Sequence, residues 1–312
     1  MEAKKPTVEY YTINQDNDGQ RLDNFLISTL KGLPKSRIYN LIRRDEIRVN
    51  KKRVHHKVHL QAGDIVRVAP IRLSPSTKIV DNIKTKKYQI VYEDSNIIAI
   101  DKPSGLAVHG GSGVSLGLIE QLRIQYNQNR LQLGHRLDRE TSGLIVVCKS
   151  RKSLLEFQRL LNERKIKKYY LAIVEGVWQQ QHKVENAKLK TIVLPNKKRL
   201  TVVSQDGREA ISKITKLQQF ESFSLLKIQL VTGRMHQIRV HCQYNNAPII
   251  GDSTYNSNSQ IHSKNMLLHA FSIELNSPLL GNLRLKTAIP NSFDQFVKAK
   301  TGRDHCIGAL RI

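Results

Sequence analysis

The chain has 312 residues, enough for about two domains with a substantial apolar core. Its 51 lysines and arginines against 26 aspartates and glutamates leave a formal net charge of +25, while 39% hydrophobic and 25% charged residues are ordinary for a folded protein and exclude wholesale disorder. No apolar run approaches the ~18 residues of a membrane span, the first residues lack the apolar stretch of a secretory signal, and three scattered cysteines (148, 242 and 306) suit a reduced, cytoplasmic setting.

Residues 1–18 read as a leader with little structure. From 20 to 30, Leu22, Phe25, Leu26 and Leu30 recur at helical spacing. Pro34-Lys35-Ser36 signals a second helix, with Ser36 as N-cap and Ile38, Leu41 and Ile42 as its apolar stripe. A strand at 47–49, a turn over Asn50, Lys51 and Lys52, and a strand near 65–68 complete a small unit spanning 19–69. Between residues 31 and 57, ten lysines and arginines face only Asp45 and Glu46. Clustered positive charge of this kind fits a polyanion, because each neutralised phosphate releases counterions. Lys35, Arg37, Arg43, Arg44 and Lys51 fall on the second helix and the turn, where phosphates can meet them. A membrane surface is a poorer partner, since the charges do not line one long amphipathic helix.

Residues 70–87 are polar and aperiodic and read as a linker. A second domain, 88–312, opens with a strand pair around Tyr92-Glu93-Asp94. A strand at 97–100 leads through a glycine-rich loop, 105–117, to a helix at 118–126. A strand at 143–148 precedes a helix at 153–163 with Leu154, Phe157, Leu160 and Leu161 on one side. The strand at 169–174 is apolar on both faces and belongs in the middle of a sheet. Further strands at 211–217, 224–231 and 267–275 and a helix at 292–300 complete the domain.

Several chemistries find no support. Gly111-Ser112-Gly113 lacks the spacing and strand–helix frame of a dinucleotide loop, and no phosphate-loop lysine, Cys-x-x-Cys, His-Glu-x-x-His or Gly-x-Ser-x-Gly pattern occurs. The expected cofactor set is therefore none.

The most informative stretch is residues 135–143, HRLDRETSG, a charged turn feeding the apolar strand. Asp138 lies between Arg136 and Arg139, a setting that suits a carboxylate acting as nucleophile or base. Two surface ion pairs in a solvated turn would look the same, and the residues alone leave both open. The same Arg-Leu-Asp triplet at Arg21-Leu22-Asp23 opens an amphipathic helix and reads as structural. A second cluster, Thr232-Gly233-Arg234-Met235-His236-Gln237-Ile238-Arg239-Val240-His241, follows an apolar strand. There Arg234 stands at an expected helix N-terminus, sharing a face with Gln237 and His241 that suits a phosphate or carboxylate. A buried arginine fixing a loop is the plainer alternative.

Residues 135–143 resemble the signature of the pseudouridine synthases of the ribosomal large subunit type. Residues 101–111 (DKPSGLAVHGG), 168–176 (KYYLAIVEG), 232–241 and 248–255 (PIIGDSTY) match the same family in the same order, and residues 20–68 resemble an S4 RNA-binding module. The resemblance implies an α+β fold: a catalytic domain with a mixed, mainly antiparallel sheet flanked by helices, plus the small S4-like domain. It implies that Asp138 is the essential aspartate, that Arg136 enters the RNA helix and helps displace the target uridine, that Tyr170 stacks on the target base, and that Arg234 pairs with Asp138. Met235 in place of a threonine and Asn245-Asn246-Ala247 before the proline depart from the family pattern without removing a catalytic group. The implied partner is large-subunit ribosomal RNA or its assembly intermediate, bound by a monomer away from membranes. The implied reaction breaks C1′–N1 and forms C1′–C5 with no atom gained or lost, which agrees with the absent cofactor motifs. A non-enzymatic rRNA-binding or ribosome-assembly factor and a tRNA-directed synthase are the competing expectations. Whether Asp138 attacks C1′ or removes the C2′ proton stays open.

Overall fold

The computed structural model describes residues 7–30, 33–71, 86–110, 116–195, 199–302 and 307. Contacts divide the chain into two units, Met1–Thr85 and Lys86–Ile312. Most of the expected linker, the glycines at 111 and 113, Lys31 and Cys306 lie outside the described residues.

In the first unit, β1 (Glu9–Thr12), α1 (Leu22–Thr29), α2 (Lys35–Arg43), β2 (Ile47–Val49), β3 (Lys52–Arg53) and β4 (Ile65–Val68) build a four-stranded sheet in the order β1-β4-β2-β3 with two helices. Ile38, Leu41 and Ile42 of α2 pack with Leu22, Phe25 and Leu26 of α1 and with Ile47, Val66 and Val68 of the sheet. Residues 9–12 are thus a strand where the sequence suggests leader, with Glu9 opposite Val68. Only Tyr11 of that edge strand is even partly covered, against Phe25, so no apolar alternation announces it. Helix α2 starts two residues earlier than expected. Pro34 is its N-cap, and the Pro34 carbonyl accepts from both Arg37 and Ile38, which leaves Ser36 inside the first turn. Asn50 and Lys51 both have positive φ (49° and 65°), and Val49 lies opposite Lys52, so the predicted turn is a two-residue hairpin whose twist suits the strands it joins. Asp23 is buried and bonded to Arg21 at 2.6 Å and Tyr39 at 3.2 Å, the structural role its context suggests.

The second unit comprises β5 (Gln89–Glu93), β6 (Ile97–Lys102), α3 (Leu118–Gln125), β7 (Gln132–Leu133), β8 (Ser142–Cys148), α4 (Arg151–Asn162), β9 (Lys167–Glu175), β10 (His182–Glu185), β11 (Leu189–Val193), β12 (Arg199–Val203), β13 (Ser212–Gln219), β14 (Phe223–Leu230), α5 (Gln237–Tyr244), β15 (Leu268–Ser277), β16 (Gly281–Lys286) and α6 (Asn291–Thr301). Ten strands form one sheet with the path β10-β13-β14-β9-β15-β8-β6-β5, β16 beside β15 and β7 beside β8, while β11 and β12 form a separate hairpin. Every pairing in the large sheet is antiparallel except β15 with β8. The fold is α+β.

Side-chain alternation divides the sheet into two faces. Ile98, Ile100, Ile145, Val147, Ala172 and Leu226 face α3 and α5. Ile97, Ala99, Leu144 and Val146 face Leu154, Phe157 and Leu160 of α4, while Leu171, Ile173 and Leu225 face Phe293 and Phe296 of α6. Both faces of β6, β8 and β9 are buried, which is why these strands read as near-continuous apolar runs. The parallel pairing sets Gly143 of β8 beside Ala270 of β15, and Ala270 faces Tyr170 of β9, so one row across three strands links the loop before β8 to Tyr170. Gly143 has φ 105°, and a Cβ there would lie 2.3 Å from the Ala270 carbonyl oxygen, so the approach of β15 requires glycine.

Candidate active site

The loop before β8 is clamped from below. Lys102, fully buried at the end of β6, donates from Nζ to the carbonyls of Pro103, Leu106 and Arg139, each at 3.0 Å. Gly105 N–H also donates to the Arg139 carbonyl at 2.9 Å, and Ser104 Oγ to that of Glu140 at 2.7 Å. Burial pushes the Lys102 ammonium down to about 8, against the pull of Glu140, Asp138 and Asp101. These hydrogen bonds fix the turn that carries Asp138 while its carboxylate stays partly open.

Asp138 Oδ2 accepts from Arg239 Nη1 at 3.2 Å. Arg239 is itself held by a bidentate pair with buried Asp252, Nε to Oδ2 at 2.7 Å and Nη2 to Oδ1 at 2.8 Å. Its guanidinium lies over the Tyr255 ring, 4.9 Å from the centroid. Burial alone would lower the Arg239 pKa, yet hydrogen bonds and charge from Asp252, with Asp138 adding, raise it. His236 Nε2 stands 3.9 Å from Asp138 Oδ2, and its Nδ1 is 2.9 Å from the Tyr255 hydroxyl. Burial lowers the His236 pKa despite the opposing charge of Asp138, which favours the neutral ring.

Arg136, Asp138, Tyr170 and Arg234 line one cavity of about 500 Å³ with Lys168, Thr232 and Arg239. Tyr170 is buried, and burial, followed by the charge of Asp138, raises its pKa. Arg136 is exposed and has no side-chain partner among the described residues. Arg234 is exposed and donates from Nε to the Glu209 carbonyl at 2.9 Å. The expected Arg234–Asp138 pair is therefore corrected: Arg239 makes it. His236 has φ 55°, a left-handed residue that ends the turn, and α5 begins only at Gln237. The expected anion-binding face fails for the same reason. Gln237 is buried, bonded to Thr232, Ile211 and Ser212, and His241 is buried between Ser212 Oγ and the Ala187 carbonyl. Arg239, Asp252, Tyr255, His236, Lys102 and Lys168 all lie inside the matched sequence stretches, but nothing local singles them out.

Lys35, Arg37, Arg43, Arg44 and Lys51 are all exposed on the first unit, with Arg43 Nη2 donating to Asn40 Oδ1 at 3.0 Å. Among the described residues no cluster of three or more His, Cys, Asp or Glu could hold a metal ion, and no helix is long and apolar enough to cross a membrane.

Comparison with known proteins gives the chain its relatives. Residues 96–244 match the family model described as RNA pseudouridylate synthase. The chain is 42% identical over 286 residues to ribosomal large subunit pseudouridine synthase C of Pasteurella multocida (strain Pm70), covering 88% of each chain. It is 42% identical over 261 residues to the protein of that name in Escherichia coli (strain K12), covering 82% of each. The solved structure of human RNA pseudouridylate synthase domain containing 1 shares the fold, with TM-score 0.58 and 21% identity over 72% of this chain and 100% of that one. Human RNA pseudouridylate synthase domain containing 4 gives TM-score 0.54 at 26% identity over 67% of this chain and 91% of that one. By sequence and fold together, the chain belongs to the RNA pseudouridylate synthase family.

Proposed function

We propose that this protein isomerises uridines of large-subunit ribosomal RNA to pseudouridine, acting as a cytoplasmic monomer. The carrying observation is the Asp138 carboxylate, held by Arg239 at 3.2 Å in the cavity that Tyr170 lines. An everted uridine stacked on Tyr170 brings its sugar to that carboxylate. Stacking contributes ~1–3 kcal/mol and leaves in-plane rotation free, which suits a detached base that must turn before it rejoins. Arg239, pinned by Asp252, keeps the carboxylate oriented before substrate arrives. Unpartnered Arg136 at the rim fills the vacancy left by the flipped base and offsets part of the few kcal/mol that flipping costs. The exposed cations Lys35, Arg37, Arg43, Arg44 and Lys51 supply phosphate contacts. The names of the relatives support large-subunit rRNA as the substrate.

The test uses unmodified large-subunit rRNA carrying tritium at uridine C5. The protein releases tritium, and Asp138→Asn abolishes release while RNA binding stays within a few-fold. Release from tRNA but not from rRNA would reassign the substrate. Binding without release from any RNA would leave only an assembly factor.

A further inference from the structure

Lys168 lies on β9 two residues before Tyr170, so both side chains leave the same face of the strand, about 7 Å apart. It lines the same cavity, is only 9% exposed, and its side chain has no hydrogen-bond or ion-pair partner among the described residues. Lys167 points to the other face, towards Glu274 at 3.9 Å. Lys102, the other deeply buried lysine of this unit, directs its ammonium to three carbonyls.

The surroundings of Lys168 offer no compensation. His135 accepts from Val146 N–H through Nε2, and burial, with the nearby Lys168 charge adding, holds this ring near 3 and therefore neutral. Arg136, Arg164 and Arg234 line the cavity as further cations, Asn162 and Thr232 as neutral polar groups, and Asp138 is its carboxylate. Asp138 is engaged by Arg239. The Gly233 backbone runs close to Nζ, which a Cβ at that position would meet at 3.6 Å. Burial brings the Lys168 ammonium down to about 8. A buried, unpaired cation is costly, and a protein keeps one where an anionic group arrives to meet it.

We propose that Lys168 binds the uracil carbonyl oxygen on which negative charge develops as C1′–N1 breaks. This assignment rests on the activity proposed above. The electron pair of the C1′–N1 bond leaves with the base, giving a uracil anion with charge shared among N1, O2 and O4. That holds whether Asp138 attacks C1′ or takes the C2′ proton. After the base turns, C5 bonds to C1′ as the Asp138 oxygen leaves C1′ or, in the other route, as the proton held by Asp138 returns to C2′; the C5 proton is then lost and N1 is protonated, so atoms and electrons balance. Tyr170 supplies the stacking face, and Lys168, one same-face position along β9, supplies the charge at the edge of the ring. The contact strengthens only as charge develops, so it acts on the chemical step more than on RNA affinity.

The experiment compares the parent protein with Lys168→Met and Lys168→Arg on tritium-labelled large-subunit rRNA, measuring RNA Kd, single-turnover tritium release and Tm. The expected Lys168→Met result is release slowed about 100-fold, Kd within about 3-fold of the parent, and Tm unchanged or raised, because an apolar side chain of similar length removes an unpaired buried charge. Lys168→Arg recovers much of the rate, and the loss of rate that the parent shows as pH rises through about 8 disappears. A weakened Kd with an unchanged bound-state rate would place Lys168 on a phosphate and overturn the assignment. Unchanged rate and Kd would overturn it too, and so would a lowered Tm that accounts for the missing activity. If the parent releases tritium and Lys168→Met does so equally well, only this inference falls. If the parent releases none, the proposed function falls with it.

Discussion

Arg239 is anchored by Asp252 and offers Asp138 only what remains. Two parallel hydrogen bonds of 2.7 and 2.8 Å join the guanidinium to Asp252, leaving Nη1 for Asp138 at 3.2 Å. Asp252 Oδ1 also accepts from Thr254 N–H at 2.9 Å and Tyr255 N–H at 3.1 Å, so the anchor is tied to its own turn. The geometry asks for a planar fork, and a lysine cannot supply two parallel donors together with a third. Arg239→Lys is expected to lower turnover at least 100-fold with RNA binding little changed. Asp252→Ala strands a buried guanidinium and costs about 3–5 kcal/mol of stability. Urea denaturation and tritium release check both, and full activity of either variant would remove the orienting role of this pair.

Arg234 is expected to behave differently from Arg239. It is exposed, and among the described residues its side chain bonds only to the Glu209 carbonyl, so Arg234→Ala should cost less than about 1 kcal/mol of stability. Because it lines the cavity, its removal should raise KM more than it lowers kcat. Steady-state kinetics at two salt concentrations decide this; a fall confined to kcat would return Arg234 to the reacting centre.

Gly143→Ala combines a positive φ with a Cβ placed 2.3 Å from the Ala270 carbonyl oxygen. Strain and overpacking together should cost about 3 kcal/mol or more. Denaturation midpoints measure it. A change under about 1 kcal/mol would mean that β8 and β15 separate more readily than their pairing suggests.

Lys102 gives stability a pH dependence with a definite sign. Its pKa in the fold, about 8, lies below the ordinary lysine value of 10.5. Between these values the unfolded chain holds a proton that the native state has released, so this contribution is present above about 10.5 and lost as pH falls through 8. Against Lys102→Met, the parent's relative stability should therefore rise by about 3 kcal/mol between roughly pH 8 and 10.5. At neutral pH the same variant also frees the three carbonyls and loosens the Asp138 loop, with a several-fold decrease in rate expected. Parallel stability curves for the two proteins would rule out the depressed lysine.

Replacing Lys35, Arg37, Arg43 and Arg44 together by alanine should weaken RNA binding and flatten its salt dependence by roughly 0.7–0.9 in log–log slope for each phosphate no longer neutralised. The bound-state rate of tritium release should hold, since none of these residues lines the cavity. Filter binding across a salt series reads the slope, and an unchanged slope would remove these side chains from the RNA interface.

Much of the second unit is legible from pattern alone. The stripe Leu154, Phe157 and Leu160 marks α4, and the apolar runs at β6, β8 and β9 announce strands buried on both faces. Strands β10, β11, β12 and β16 escape notice because they are short or largely exposed, so their alternation is diluted by polar residues. β1 is missed for the same reason.

The sequence by itself determined the family and the cationic character of the first unit, and its family motifs singled out Asp138 as the candidate acidic residue, because these depend on composition and on short contiguous patterns. Which arginine meets Asp138 was decided only in three dimensions. The left-handed turn at His236 and the anchor at Asp252 bring Arg239 to a carboxylate 101 positions away and leave Arg234 on the rim. Side-chain direction after such a turn, and register between strands far apart in the chain, are properties of packing, and no local spacing of residues encodes them.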